Sequence, residues 1–242
     1  DSGVDIFHPD LKDNIWLNPK CKGMSEEDLV KEDCHGWNFL DGNPDVTDDI
    51  GHGTHVAGII AAVRNNNTGI SGISNRIKIL PIKVLSNKTE DSQAIGTSDR
   101  LAQALLYATD MKVDVINLSL GWPLSFDKEH LRQAVLEAIK KGVTVIAAAG
   151  NNDHSEPIFP CSYKGVICVG SSDPDKKMSD FSNYGGHVDI LAPGNNILST
   201  YPTGSSPSFF DIKGYDLKSG TSQSAPYISA LAAVIKATYP GI

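Results

Sequence analysis

Residues 127–151 read DKEHLRQAVLEAIKKGVTVIAAAGN, and the change of rhythm inside this stretch decides the fold. From near Asp127 onward, Leu131, Val135, Ala138 and Ile139 recur every three to four residues and so share one face of a helix. Lys140 and Lys141 occupy its last turn, where they meet the negative end of the helix dipole, and Gly142 supplies the stop. Val143 to Ala149 then runs as a short apolar strand that ends at Asn151. A helix feeding a buried strand is half of a βαβ unit, and such units build parallel sheets.

The same alternation continues on both sides. Ile77 to Val84, Val113 to Leu118, Val166 to Gly170 and Val188 to Leu191 are short runs rich in Val and Ile, and are read as strands. Ser98 to Met111 opens with the capping residues Ser98 and Asp99 and places Leu101, Leu105 and Ala108 on one face. His52 to Val63 and Thr221 to Thr238 are largely apolar helices, which belong inside a layered sheet-and-helix structure. The expected fold is α/β: a doubly wound, mostly parallel sheet with helices on both faces. At 242 residues one domain spanning 1–242 is the default expectation. Tyr201 to Lys218, rich in Gly, Ser, Pro and aromatics, reads as a surface loop.

Composition narrows the function classes. The formal net charge is -8 and no basic run occurs, which argues against a nucleic-acid partner, because a phosphate backbone demands clustered Lys and Arg. No apolar run reaches the roughly 18 residues of a membrane span, and the first residues, DSGVDIFHPD, lack the features of a secretory signal. The four cysteines form two sequence-local pairs, Cys21 with Cys34 and Cys161 with Cys168. Two disulfides are the favoured reading and four buried thiols the alternative.

In sheets of this kind ligands bind beyond the carboxyl ends of the strands, and the polar residues of interest fall there. Gly220-Thr221-Ser222-Gln223-Ser224-Ala225-Pro226 is a small-residue turn entering an apolar helix, so Ser222 is exposed near backbone N–H groups and the positive dipole end; alone, it reads equally as a helix cap. Gly51-His52-Gly53-Thr54-His55-Val56-Ala57-Gly58 leaves His52 at the mouth of a closely packed helix, the placement a general base needs. The HxxH spacing lacks the glutamate of the zinc protease pattern, and a buried structural histidine suits His55. Asp1-Ser2-Gly3 ends a strand with a carboxylate that can hold an imidazole tautomer, and Ala147-Ala148-Ala149-Gly150-Asn151 ends one with an amide donor. Each of these last two is weak alone.

Taken together and in this order, the segments DSGVDIFHPDL, GHGTHVAG, INLSLG, AAAGN, LAPG and GTSQSAP resemble the subtilase family over nearly the whole chain. The resemblance implies a serine endopeptidase in which Ser222 is the nucleophile, His52 the proton shuttle, Asp1 the orienting carboxylate and Asn151 the oxyanion donor. It places one substrate-binding edge at Ser119, Leu120 and Gly121 and the opposing edge just before Gly96. The primary pocket would lie between Leu120, Gly121, Ala149 and Gly150, with Ile158 near its base, so an apolar or broad preference is expected; Asp153 and Glu156 offer a basic preference as the alternative.

The resemblance further implies a structural calcium ion held by the side chains of Asp10 and Asn66 and the carbonyls of Arg64, Thr68 and Ile70, a set of oxygens suited to a hard cation. The alternative is an Asn/Gly turn that binds nothing. A protein or peptide substrate, a propeptide inhibitor in cis, a monomeric state and an extracellular or secretory-pathway location are the remaining implications. The chain begins at the triad aspartate, so a first strand and a C-terminal segment are expected to be missing from it. GTSQSAPYISAL departs from the commoner GTSMAxPHVAG pattern at Gln223, Ser224, Tyr227 and Ala230, and Trp122 stands where a small residue is usual. The rival classes are a transpeptidase or macrocyclase, in which an amine resolves the acyl-enzyme, and a catalytically silent binding module on the same fold.

Overall fold

The computed structural model describes residues 1–86, 94–95, 97–205 and 212–241. Its longer elements, in chain order, are α1 (Glu26–Leu29), β1 (Trp37–Asn38), α2 (His52–Ala61), β2 (Ile82–Lys83), β3 (Leu85–Ser86), β4 (Ala94–Ile95), α3 (Ser98–Asp110), β5 (Val115–Leu118), α4 (Glu129–Lys140), β6 (Thr144–Ala148), β7 (Val166–Ser172), β8 (Ile190–Pro193), β9 (Ile197–Thr200), β10 (Tyr215–Lys218) and α5 (Thr221–Thr238). They group into two compact units, one of Asp1–Ala104 with Ser199–Asp216 and the other of Leu105–Leu198 with Leu217–Ile242.

The second unit holds a four-stranded parallel sheet in the order β5-β6-β7-β8. Side chains alternate across a strand, so β6 presents Ile146 and Ala148 to one face and Val145 and Ala147 to the other. Ile146, Ala148, Val169, Ala192 and Ala225 form a core cluster, with Tyr227, Ile228 and Ala232 of α5 packed on it. α4 packs against β6 as well, and because Val145 to Ala148 are all buried, both faces of that strand are covered. This is why the central strands are nearly continuous apolar runs.

The helix read from Asp127 begins two residues later, at Glu129. Asp127 is otherwise engaged: its Oδ1 accepts from the indole Nε1 of buried Trp122 at 3.0 Å and from the Tyr163 hydroxyl. Burial, and then the Asp127 charge, push the Tyr163 hydroxyl above the usual phenol range. The stop occurs where expected, with Gly142 at φ +84° and its N–H bonded to the Ile139 carbonyl.

In the first unit the strand read over Ile77 to Val84 is regular only at β2, which pairs in parallel with β1, while Ile79 bridges to Ile15. Val4, Leu11, Ile15 and Ala57 form the core cluster there. Tyr201 to Lys218 is not wholly a surface loop: Tyr215 to Lys218 form a strand, and Tyr201, Tyr215 and Asp216 are buried. Tyr201 lies against Gly51, and Tyr215 against Gly69 and Asp10, so the aromatics of this segment face inward. Both disulfides are formed, Cys21–Cys34 and Cys161–Cys168. No helix among the described residues is long and apolar enough to cross a membrane.

Candidate active site

The first unit contributes the Asp1–His52 pair. His52 opens α2 behind Gly51, whose left-handed φ of +83° no side chain tolerates well and whose α-carbon lies under the Tyr201 ring. His52 Nδ1 lies 2.7 Å from Asp1 Oδ1, an oxygen that also accepts the Ser2 N–H at 2.7 Å. Asp1 Oδ2 is buried with no hydrogen-bond partner among the described residues. Both side chains keep about a fifth of their surface, 19% for Asp1 and 23% for His52. A carboxylate at the imidazole Nδ1 fixes the tautomer in which Nε2 carries the lone pair that can take a proton. His55 is buried in the interior of α2 with Nε2 3.2 Å from the Asp216 carbonyl, which is the structural role expected of it.

The second unit contributes Ser222 and Asn151. Ser222 stands in the first turn of α5, behind Gly220. Pro226 has no N–H to give to the carbonyl four residues back, which is that of Ser222. The Ser119 hydroxyl fills this gap, donating to the Ser222 carbonyl at 2.7 Å, while Ser222 Oγ donates to the Ser119 carbonyl at 2.9 Å. Asn151 is oriented from behind: its Oδ1 accepts from Thr221 N–H at 2.8 Å and Thr221 Oγ1 at 2.9 Å, and Thr221 Oγ1 accepts from Gly150 N–H. With the oxygen so held, the amide NH₂ points away. A Cβ on Gly220 would sit 3.2 Å from Asn151 Nδ2, so glycine keeps the ground beside that donor open.

The residues read as pocket walls come together in this unit as well. Ser119, Leu120 and Ala149 are buried, and Gly121 and Gly150 are partly exposed. A Cβ built on Gly121 would meet Ile158 Cγ2 at 2.7 Å, and one on Gly150 would meet Ile158 Cγ1 at 3.6 Å. Ile158 therefore lies against both glycines. The position is fixed by backbone bonds between Trp122 and Phe159 in both directions, at 2.6 and 2.9 Å. Trp122 is buried and caps this loop rather than narrowing a cleft. Gly96, read as the opposing edge, lies outside the described residues.

Asp10 is fully buried, and its carboxylate accepts from Asn66 Nδ2 at 2.7 Å, Ile70 N–H at 2.9 Å and the Tyr215 hydroxyl at 3.2 Å. Burial and then Asp10 hold the Tyr215 hydroxyl above the usual phenol range. Asn65, Asn67 and Gly69 take left-handed φ, which curls residues 64–70 around Asp10. The carbonyls of Arg64, Thr68 and Ile70 accept no backbone N–H among the described residues. One carboxylate, one amide and three carbonyls would make an oxygen-only set of the kind a hard cation takes only if the Asn66 amide, whose Nδ2 donates to Asp10 and whose Oδ1 accepts the Thr68 N–H at 3.0 Å, turned over. Among the described residues no three acidic, His or Cys side chains form a metal cluster.

Two supporting residues were not legible as such. Ser119 was read only for its backbone edge, although the spacing of Pro226 four residues after Ser222 marks a carbonyl in need of a donor. Asp48 stands three residues before the side-chain-less cap Gly51, a cue for remote capping.

The model of the subtilase family, Peptidase_S8, matches residues 1–242. The chain is 40% identical over 235 residues to a thermophilic serine proteinase of Bacillus sp. (strain AK1), covering 97% of this chain and 50% of that protein. It is 37% identical to thermitase of Thermoactinomyces vulgaris, with coverages of 97% and 72%, and 38% identical to the major intracellular serine protease of Bacillus subtilis (strain 168), with coverages of 98% and 66%. The chain thus spans between half and under three quarters of the length of these relatives. Among solved structures, a cold adapted subtilisin-like serine proteinase superposes with a TM-score of 0.78 at 28% identity, covering all of this chain and 74% of that one. A lanthipeptide protease gives 0.80 at 29% identity, with coverages of 98% and 72%. The fold is the α/β arrangement of subtilisin-like proteases, and the chain belongs to the subtilase family.

Proposed function

We propose that the chain is the catalytic part of a serine endopeptidase that cleaves peptide bonds through an acyl-enzyme on Ser222. The observation that carries this reading is the 2.7 Å contact between His52 Nδ1 and Asp1 Oδ1, which leaves the imidazole Nε2 as the acceptor for a serine proton. In the reaction Ser222 Oγ attacks the scissile carbonyl while its proton passes to His52. The oxyanion is held by Asn151 Nδ2 and the Ser222 backbone N–H at the positive end of α5. His52 then protonates the leaving amine, the peptide bond breaks and an ester to Ser222 remains. Water, deprotonated by the same imidazole, attacks that ester and releases the acid. Hydrolysis of casein by wild type and by Ser222→Ala tests the reading, with loss of turnover expected in the variant.

Substrate is taken in extended form along Ser119, Leu120 and Gly121, and its primary side chain enters between Gly121, Ala149 and Gly150. The contacts of Ile158 with both glycines support an apolar preference, tested by profiling a peptide library. A calcium ion on Asp10, Asn66 and the carbonyls of Arg64, Thr68 and Ile70 supplies charge balance and loop rigidity; buried Asp10 inside a curled loop is what supports it. The two disulfides support a protein matured outside the cytosol, although two relatives are described as intracellular. Synthesis with an inhibitory propeptide and function as a monomer complete the proposal, and intact-mass analysis of the secreted protein with size-exclusion chromatography checks both.

A further inference from the structure

The Asp1–His52 pair is built in backbone contact. A Cβ on Gly53 would lie 2.0 Å from the Gly3 carbonyl, and one on Gly3 would lie 2.3 Å from the Val46 carbonyl, so the helix mouth, residues 1–4 and residues 46–49 meet without side chains between them. Three chain segments held this closely leave several N–H groups in need of acceptors, and the helix cap, Gly51, has no side chain to offer.

Asp48 answers three of them, the N–H groups of Ile50, Gly51 and Thr54. It is 4% exposed, and among the described residues its carboxylate takes five hydrogen bonds. Oδ1 accepts from the Ser2 hydroxyl at 2.8 Å, Ile50 N–H at 3.0 Å and Gly51 N–H at 2.8 Å. Oδ2 accepts from Thr54 N–H at 2.8 Å and the Thr54 hydroxyl at 2.7 Å. A buried charge with this many donors at the start of a helix is held in one orientation.

The link to the pair runs through Ser2. Its hydroxyl, 3.3 Å from Asp1 Oδ1 and 2.8 Å from Asp48 Oδ1, has one proton for two carboxylates, and it accepts the Gly53 N–H at 2.9 Å. Its backbone N–H is already the donor that holds Asp1 Oδ1. From one side Asp48 thus sets the residue next to Asp1, and from the other the turn that carries His52.

We propose that Asp48, acting through Ser2 and the Gly51 turn, is the positioning residue that sets the distance and angle between Asp1 and His52. It touches neither substrate nor the reacting atoms. The proposal rests on the serine-protease reading above. An amide in place of the carboxylate would direct an NH₂ group at donors already present on one side of the site, and the helix mouth would shift relative to Asp1.

The test compares the full chain as wild type, Asp48→Asn and Ser2→Ala. Active sites are counted by complete labelling with a fluorophosphonate, and kcat and KM on a peptide anilide are referred to labelled sites. Asp48→Asn is expected to lose about 10²-fold in kcat per labelled site with KM within about twofold of wild type, because misplacement of catalytic groups acts on the transition state. Ser2→Ala is expected to lose about tenfold by the same route. A purely structural cap predicts fewer labelled sites with wild-type kcat per site, and that result overturns the proposal. Should Asp48→Asn not fold, Ser2→Ala and Thr54→Val keep the buried charge, and wild-type kcat per site in both overturns it equally. A wild-type protein that neither labels nor cleaves removes the protease reading and this proposal with it, whereas active wild type with equally active variants removes only the role of Asp48.

Discussion

The Ser119 hydroxyl donates at 2.7 Å to the Ser222 carbonyl, the one carbonyl in the first turn of α5 that Pro226 leaves without a helical donor. A proline four residues beyond a proposed nucleophile would otherwise weaken the turn on which that nucleophile stands. Ser119 directly follows β5, so the repair comes from the edge of the sheet and ties the start of α5 to it.

Ser119→Ala therefore leaves a carbonyl unpaired beside Ser222. We expect a loss of about 1–3 kcal/mol in unfolding free energy, the usual penalty for an orphaned buried acceptor, together with a lower kcat. Urea denaturation followed by tryptophan fluorescence, alongside peptide hydrolysis, checks both.

Asn151→Ala removes the oriented NH₂ while keeping the backbone donor. About 3 kcal/mol should be added to the barrier, a loss on the order of 10²-fold in kcat with KM little changed. Steady-state kinetics on a chromogenic peptide measure it; an unchanged kcat would place the oxyanion elsewhere.

Ile158→Gly empties the space against Gly121 and Gly150 and admits larger side chains. The ratio of kcat/KM for Phe over Ala at the cleaved position should rise by about tenfold or more, since one to two methylene equivalents in an apolar pocket carry 1–3 kcal/mol. A matched peptide series reads the ratio, and Ile158→Ala should fall between.

Lys83 is 3% exposed and donates to Asp49 at 2.8 Å as well as to the Ser2 and Thr47 carbonyls. At Asp49 burial acts to raise the carboxyl, but the hydrogen bonds from Lys83 and Ser86 win and hold it below the usual carboxylate range. A carboxylate depressed in the folded state contributes stability that is complete above its unfolded pKa, about 3.9, and is lost as pH falls through the lower folded value. Asp49→Asn should destabilise the protein at pH 7 by about 2 kcal/mol, less than a fully buried pair would because Asp49 is partly exposed. Below pH 4 the gap between variant and wild type should narrow. Thermal melts across pH 2–8 test the sign.

Much of this was legible in the chain. Val143 to Ala149 and α4 were readable because one apolar period gives way to another at Gly142, and that change survives any packing detail. Asp1, His52, Asn151 and Ser222 stood out only through the joint resemblance of their segments to the subtilase family, since alone Ser222 reads equally as a helix cap and the segments of Asp1 and Asn151 are weak. The start of α4 was not legible, since Asp127 looks like a cap until Trp122 and Tyr163 are seen to claim its carboxylate. Nor was the inward turn of Tyr201 and Tyr215, whose Gly- and Ser-rich neighbours mask two rings that pack on Gly51 and Gly69. Ser119 escaped because the carbonyl it serves, that of Ser222, is distant in sequence, and Asp48 because its tie to the Asp1 segment runs through the equally distant Ser2 hydroxyl.

The most direct test is to label the intact protein with a fluorophosphonate and map the adduct by peptide mass. A single adduct on Ser222, absent in Ser222→Ala and slowed by orders of magnitude in His52→Ala, is the predicted result. An adduct on another residue, or a Ser222→Ala protein that still cleaves casein at the wild-type rate, would contradict the account.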